Sequence, residues 1–217
     1  MKFSKPLSYL LSFFYPSRCP FCGNVSQPLV TCCDNCRHKI KIQTGKYFIG
    51  NRWLCTSPFR YSGLPKQAVL KLKFNSCGQI SWAMGKYMTD AIKESFSDYS
   101  FDVVTFVPMH KKRKRKSLYN HSKLLASSIA KNLSLPMKNL LIKTEYNKPQ
   151  HKLNRDERIK AIKNTFRADS KSLDFIKGKT ILLCDDVLTT GSTLSECCKV
   201  LEKSGAKDVF CVAFAKA

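Results

Sequence analysis

No stretch of the 217-residue chain approaches the ~18 consecutive apolar residues of a membrane-spanning helix, so an integral helical membrane protein is excluded. Glycine and proline are scarce at nine each, which excludes collagen-like and low-complexity classes. There is no internal repeat and no G-x-G-x-x-G dinucleotide fingerprint. Acidic residues are also few. Fifteen Asp and Glu face 38 Lys and Arg, for a net charge of +23. What is present suffices for a buried core, because 43% of residues are hydrophobic. The length allows one domain with a small appendage or two small domains.

A charge this positive favours polyanionic partners such as nucleic acid, phosphorylated small molecules or an anionic membrane surface. It is unevenly spread. Residues 110–163 hold 16 Lys and Arg against 3 Asp and Glu. Eleven cysteines form an odd, lopsided set, with five between positions 19 and 36. Cys184, Cys197, Cys198 and Cys211 sit in apolar segments, where a reduced Cys is a small core residue. That usage suits a reducing compartment. Residues 1–15 start basic and turn apolar without a small-residue cleavage site. They read as a short amphipathic helix rather than a signal peptide.

Apolar spacing predicts helices over 64–74, 82–96, 120–132 and 192–203, the last stopping before Gly205. Strands are expected over 102–107, 140–143, 179–184 (ending at Asp185-Asp186) and 208–215. Residues 147–158 read as a polar, basic loop leading into a short helix. Alternating strands and helices predict an α/β domain with a mostly parallel sheet flanked by helices. This domain is placed over 60–217, behind an N-terminal helix and cysteine module over 1–59. Trp53 and Trp82 are expected in the core, and His38, His110, His121 and His151 in loops or on the surface.

Two C-x-x-C turns, Cys19/Cys22 and Cys33/Cys36, are ten residues apart. Such turns aim four thiolates at one point and suit a structural Zn²⁺ with no open coordination position. Binding would supply folding energy to a segment too short for its own core. A redox dithiol or two disulfides is the competing reading. Cys32 competes with Cys33 as a ligand, though Cys33 restores the two-residue spacing to Cys36.

The segment Ile181-Leu-Leu-Cys-Asp-Asp-Val-Leu-Thr-Thr-Gly-Ser-Thr193 carries the sharpest signal. A buried parallel strand delivers two carboxylates at its C-terminal end, where open α/β sheets bind ligands. Thr189, Thr190, Gly191, Ser192 and Thr193 then open a helix whose amides, hydroxyls and dipole converge on an anion. A sugar phosphate satisfies both parts, with ribose hydroxyls on Asp185 and Asp186 and the 5′-phosphate in the loop. Gly178-Lys179-Thr180 mimics the end of a Walker A loop, but position 173 is Leu and the triplet precedes its strand.

This segment resembles the thirteen-residue signature of type I phosphoribosyltransferases, which bind phosphoribosyl pyrophosphate (PRPP) with Mg²⁺. Together with the four-Cys module, the chain resembles the bacterial ComF family of competence proteins along nearly its whole length. Val107-Pro108 and the following basic run stand where that family has V-P-x…R-R-G-F-N-Q. Tyr119-Asn120, Leu124-Leu125-Ala126, Pro149-Gln150, Leu153, Arg158 and Phe166 continue its pattern. Leu118, His121 and Ala161 depart from it, and only Cys55 stands where many relatives carry a second Cys pair.

The resemblance implies a type I phosphoribosyltransferase-like fold and a cytoplasmic protein acting on incoming single-stranded DNA in natural transformation, near uptake machinery at the inner face of the membrane. It implies PRPP or a related ribose phosphate as ligand, Mg²⁺ accompanying it, and Asp185 and Asp186 as catalytic groups if transfer occurs. Lys111, Lys112 and Arg113 are expected at pyrophosphate. Lys114, Arg115, Lys116, Lys148, Lys152 and Arg155 are expected at DNA. A nucleobase phosphoribosyltransferase and a non-catalytic nucleic-acid-binding module with a vestigial pocket remain alternatives. The chain is too short for an added glutaminase domain.

Overall fold

The computed structural model describes residues 17–27, 30–74, 80–110, 119–144 and 164–217. The expected N-terminal helix and the basic positions Lys111, Lys112, Arg113, Lys114, Arg115, Lys116, Lys148, Lys152 and Arg155 lie outside the described residues.

Two nine-residue strands dominate the sequence's apolar runs and form the centre of the sheet. β7 (Thr180–Leu188) and β8 (Asp208–Lys216) pair in parallel from Thr180↔Asp208 to Leu188↔Lys216. Both are apolar at successive positions because both faces of a parallel sheet are covered. Leu182, Cys184, Phe210, Val212 and Phe214 face one core. Ile181, Leu183, Val209, Cys211 and Ala213 face the other.

β4 (Val103–Phe106) adds in parallel to β7 on one side. On the other, β2 (Trp53–Ser57) adds in parallel to β8 and carries β1 (Gly45–Ile49) antiparallel outside it. Short β3 (Phe59–Arg60) also pairs with β8, giving six strands, mostly parallel. The first core is covered by α2 (Gly63–Phe74), α3 (Ile80–Ser95) and α4 (His121–Leu133). The second is covered by α6 (Ser192–Lys203), by α5 (Leu173–Ile176) and by a two-stranded antiparallel ribbon, β5 (Leu141–Lys143) with β6 (Phe166–Ala168).

The structure corrects the sequence reading in four places. The strand expected to end at Cys184 runs on to Leu188, because β8 continues beside it and supplies hydrogen-bond partners past the acid pair. The β1–β2 hairpin was not expected. Its turn uses Gly50 and Asn51, both left-handed at φ 57° and 56°. This hairpin lies on the N-terminal side of the boundary expected near Phe59, yet it joins the main sheet. β6 was also unexpected. Finally, Trp53 is buried but Trp82 on α3 is 38% exposed.

Other expectations hold closely. The helix expected over 120–132 is α4, with Asn120 one residue before it as its cap, its side chain accepting from the Lys123 N–H at 3.3 Å. Helix α6 starts and stops where the sequence placed it, and Gly205 beyond its end adopts φ 93°. Among the described residues, no helix is long and apolar enough to cross a membrane.

Candidate functional site

Three segments meet at the C-terminal end of the sheet: the end of β7, the start of α6 and the start of α4. Asp185 and Asp186 lie inside β7, with Asp185 in register with Ala213. Asp185 Oδ1 accepts from the Ser122 hydroxyl at 2.9 Å and from the Asp186 N–H at 2.8 Å. Asp186 Oδ2 pairs with Lys73 Nζ at 3.1 Å, their side chains 13% and 28% exposed. Burial, reinforced by the adjacent Asp186 carboxylate, pushes Asp185 up to about 7 despite the Ser122 and backbone hydrogen bonds. Burial acts to lower Lys73, but Asp186 and then Asp185 outweigh it and raise its pKa. It is therefore a fixed ammonium at neutral pH.

These groups line a cleft of about 220 Å³ together with Lys143, His110 and Thr193. Lys143 on β5 reaches it beside Phe166, its ammonium 5.3 Å from the ring centroid. Next to the cleft, residues 189–193 turn into α6. Gly191 holds φ 76°, which L-residues with side chains avoid, and a Cβ there would stand 3.0 Å from Ile49 Cγ2. The Thr190 and Ser192 hydroxyls are 2.9 Å apart, and the Ser192 N–H donates to Thr190 Oγ1 at 3.3 Å. Amides and hydroxyls are thus gathered at the positive end of a 12-residue helix, where an anion is stabilised.

A larger cleft of about 1080 Å³ lies on the other side of this loop, between the Phe48–Asn51 turn, β6 and α6. It is lined by Thr190, Gly191 and Ser192 and lacks the acid pair, whereas Thr193 is the loop residue that lines the smaller cleft. Size alone would favour it. The smaller cleft has the convergent carboxylates, ammonium groups and hydroxyls that chemistry on a sugar phosphate requires.

The sulfurs of Cys19, Cys22, Cys33 and Cys36 all lie within 4.8 Å of one another, with Cys22 and Cys33 at 3.6 Å. A tetrahedral tetrathiolate with Zn–S bonds of about 2.3 Å requires sulfurs about 3.8 Å apart, so the cluster is compatible with a zinc site. Gly23 at φ 86° closes the first knuckle, its N–H donating to the Cys19 carbonyl at 2.9 Å. Cys33 caps α1 (Asp34–Arg37), which carries Cys36. Burial pushes the Cys19 thiol up. Backbone hydrogen bonds from Cys22, Cys33 and Phe21 outweigh it and hold the thiol at about 7.

Cys32 points elsewhere, into contact with the Tyr87 hydroxyl, which donates to its sulfur at 3.3 Å. The module docks on the main core: Phe21 meets Phe59 and Tyr87 edge-on at 5.8 and 5.9 Å. The Lys71 ammonium also donates to the Phe21 carbonyl.

Of the residues that the sequence groups together, Asp185, Asp186 and Thr193 line the smaller cleft, and Thr190, Gly191 and Ser192 line the larger cleft beside it. Sequence reasoning missed Lys73, Ser122 and Lys143. Phe166 was noted as a pattern position but not as a wall of the site. Nothing local distinguishes Lys73 from the other lysines of α2. Ser122 follows the helix-capping Asn120 by two residues, and nothing local ties it to Asp185, 63 residues on.

Residues 118–217 match the phosphoribosyl transferase domain family. Competence protein F of Haemophilus influenzae is 24% identical over 195 residues, covering 88% of this chain and 81% of that protein. DNA utilization protein YhgH of Escherichia coli K12 is 26% identical over 143 residues, or 64% of this chain. The chain spans 61% of the length of YhgH. Adenine phosphoribosyltransferase of Thermoanaerobacter pseudethanolicus aligns over 82% of this chain and 97% of its own, at 14% identity and a TM-score of 0.41. The phosphoribosyl transferase match over residues 118–217 and the mostly parallel sheet make the chain a phosphoribosyltransferase-like α/β protein with a four-cysteine cluster near its N-terminus. Its similarity to competence protein F and to YhgH, with the phosphoribosyl transferase match, supports a ComF-family protein.

Proposed function

We propose that the chain binds PRPP, or a closely related ribose phosphate, in the 220 Å³ cleft, and that it handles single-stranded DNA taken up in transformation. The observation that carries the reading is the meeting of the acid pair on β7 with the Gly191 turn into α6. One part accepts hydroxyl hydrogens and the other receives a phosphate. Asp185 and Asp186 take the ribose hydroxyls; Thr189, Thr190, Gly191, Ser192 and Thr193 take the 5′-phosphate. In transfer, the acid pair would stabilise positive charge developing on the ribose, and Mg²⁺ carried on the pyrophosphate would supply Lewis-acid stabilisation of the leaving group. The names of the relatives, competence protein F and DNA utilization protein, together with the net charge of +23, support the nucleic-acid half. The four cysteines are assigned to a structural Zn²⁺, and Lys111, Lys112 and Arg113 to pyrophosphate.

The test is thermal stabilisation by PRPP with Mg²⁺. At a hundredfold excess over its dissociation constant, a ligand adds about 2.7 kcal/mol to stability. The gain should vanish in Asp185→Ala/Asp186→Ala. An unchanged melting shift in that double variant removes the assignment. Turnover of PRPP with a nucleobase would favour the salvage-enzyme reading instead.

A further inference from the structure

Two adjacent carboxylates are a poor host for a phosphorylated sugar unless a cation stands with them. In this cleft the chain provides one. Lys73 reaches over from the last turn of α2, and its ammonium sits 3.1 Å from Asp186 Oδ2 on the wall of the same cleft. We infer that Lys73 is the resident cation of the ribose site, so that recognition of the ribose 5-phosphate moiety does not require a divalent ion held by the acid pair. This rests on the sugar-phosphate reading above and deepens it.

Three observations support it. First, the ion pair is largely shielded from water, so the ammonium is a fixed part of the wall rather than a solvated surface charge. Second, a divalent ion placed on Asp186 would displace or face the ammonium at close range, an arrangement that like-charge repulsion disfavours. Third, Asp185 Oδ1 already accepts from Ser122 and from a backbone amide, so bidentate binding of a metal by this carboxylate would have to break those bonds. Lys143 brings a second positive charge to the lining of the same cleft. Any Mg²⁺ then travels with the pyrophosphate of the ligand rather than with the carboxylates. Lys73 is positioned to share its protons between Asp186 and a ribose oxygen, which makes it a ligand-contacting residue.

The experiment measures binding of ribose 5-phosphate, which lacks the pyrophosphate, by calorimetry with excess Mg²⁺ and with EDTA. The zinc-loaded protein is used, with a chelator concentration that leaves the zinc in place. In the wild type, affinity should differ by less than about twofold between the two conditions. Lys73→Met should weaken binding about tenfold or more in EDTA, with Mg²⁺ restoring part of it. Lys73→Arg, which keeps the charge and the fold, should restore binding in EDTA. Wild-type binding that collapses in EDTA overturns the inference while leaving the sugar-phosphate site intact. So does a well-folded Lys73→Met that binds like the wild type in EDTA. Failure of the wild type to bind either ribose 5-phosphate or PRPP in both conditions overturns the site assignment and this inference with it.

Discussion

Replacing Asp185 by Asn tests the electrostatics of the site without disturbing its shape. The amide oxygen can still accept from Ser122 and from the Asp186 N–H, so the hydrogen bonds at 2.9 and 2.8 Å have a counterpart. What disappears is a carboxyl whose pKa is raised in the fold from 3.8 to about 7. A carboxyl raised by folding favours the folded state at low pH, because the native protein holds a proton that the unfolded chain has released. Stability therefore falls as pH rises from below 3.8 and levels off above about 7. At about 1.4 kcal/mol per pH unit, the loss between about pH 5.5 and about pH 8.5 is about 2 kcal/mol. The assay is urea unfolding of both proteins across that range, where such a loss moves the midpoint by about 1 M. Cys19, held at about 7 in the metal-free cluster, titrates in the same window. The test is therefore the difference between the two proteins. The wild-type midpoint should drop relative to Asp185→Asn as pH rises. Parallel curves would refute the reasoning and mean that solvent or Lys73 neutralises the carboxylate more fully than its enclosure suggests.

Metal analysis should find about one Zn²⁺ per chain, lost in Cys33→Ser and retained in Cys32→Ser, because only Cys33 joins the four-sulfur cluster; the opposite pattern reverses the ligand choice. Gly191→Ala should cost about 1–2 kcal/mol in unfolding free energy through its positive φ, and should abolish stabilisation by PRPP. Retention of both melting temperature and ligand shift would show that the turn tolerates a side chain. Replacing Lys114, Arg115 and Lys116 by Ala should flatten the log–log salt dependence of single-stranded DNA binding by about two, at about 0.7 per phosphate contact, while PRPP binding is kept. An unaltered slope would move the DNA to another surface.

The parts legible in the sequence are those whose cause is local. The apolar runs of β7 and β8 announce strands covered on both faces, and Gly191 followed by Ser192 fixes the start of α6 to the residue. The C-x-x-C spacings announce the cluster because the geometry of a metal knuckle is set within four residues. The β1–β2 hairpin had a signal too, Gly50-Asn51 between Lys46-Tyr-Phe-Ile49 and Trp53-Leu-Cys55, but it was hidden within a cysteine-rich stretch. The end of β7 was misplaced for a different reason. Two aspartates read locally as a strand terminator, and only the length of β8 alongside them keeps the ladder going.

The illegible parts are contacts between distant segments, and these decide how the site behaves. Cys32 and Cys33 are neighbours, and what separates their roles is Tyr87, 55 residues away from Cys32, which holds one sulfur out of the cluster. Ser122 reaches Asp185 across 63 residues, and Lys73 reaches Asp186 from a helix whose lysines look alike in the sequence. A net charge of +23 says nothing about whether a given carboxylate pair is neutralised, because screening confines exposed charges to about 8–10 Å of influence. The local balance at Asp185 and Asp186 is set instead by one shielded ammonium and one burial-raised carboxyl. Sequence motifs can locate the acid pair, but its charge state, and with it the need for a divalent ion, depends on which side chains the fold brings within about 4 Å.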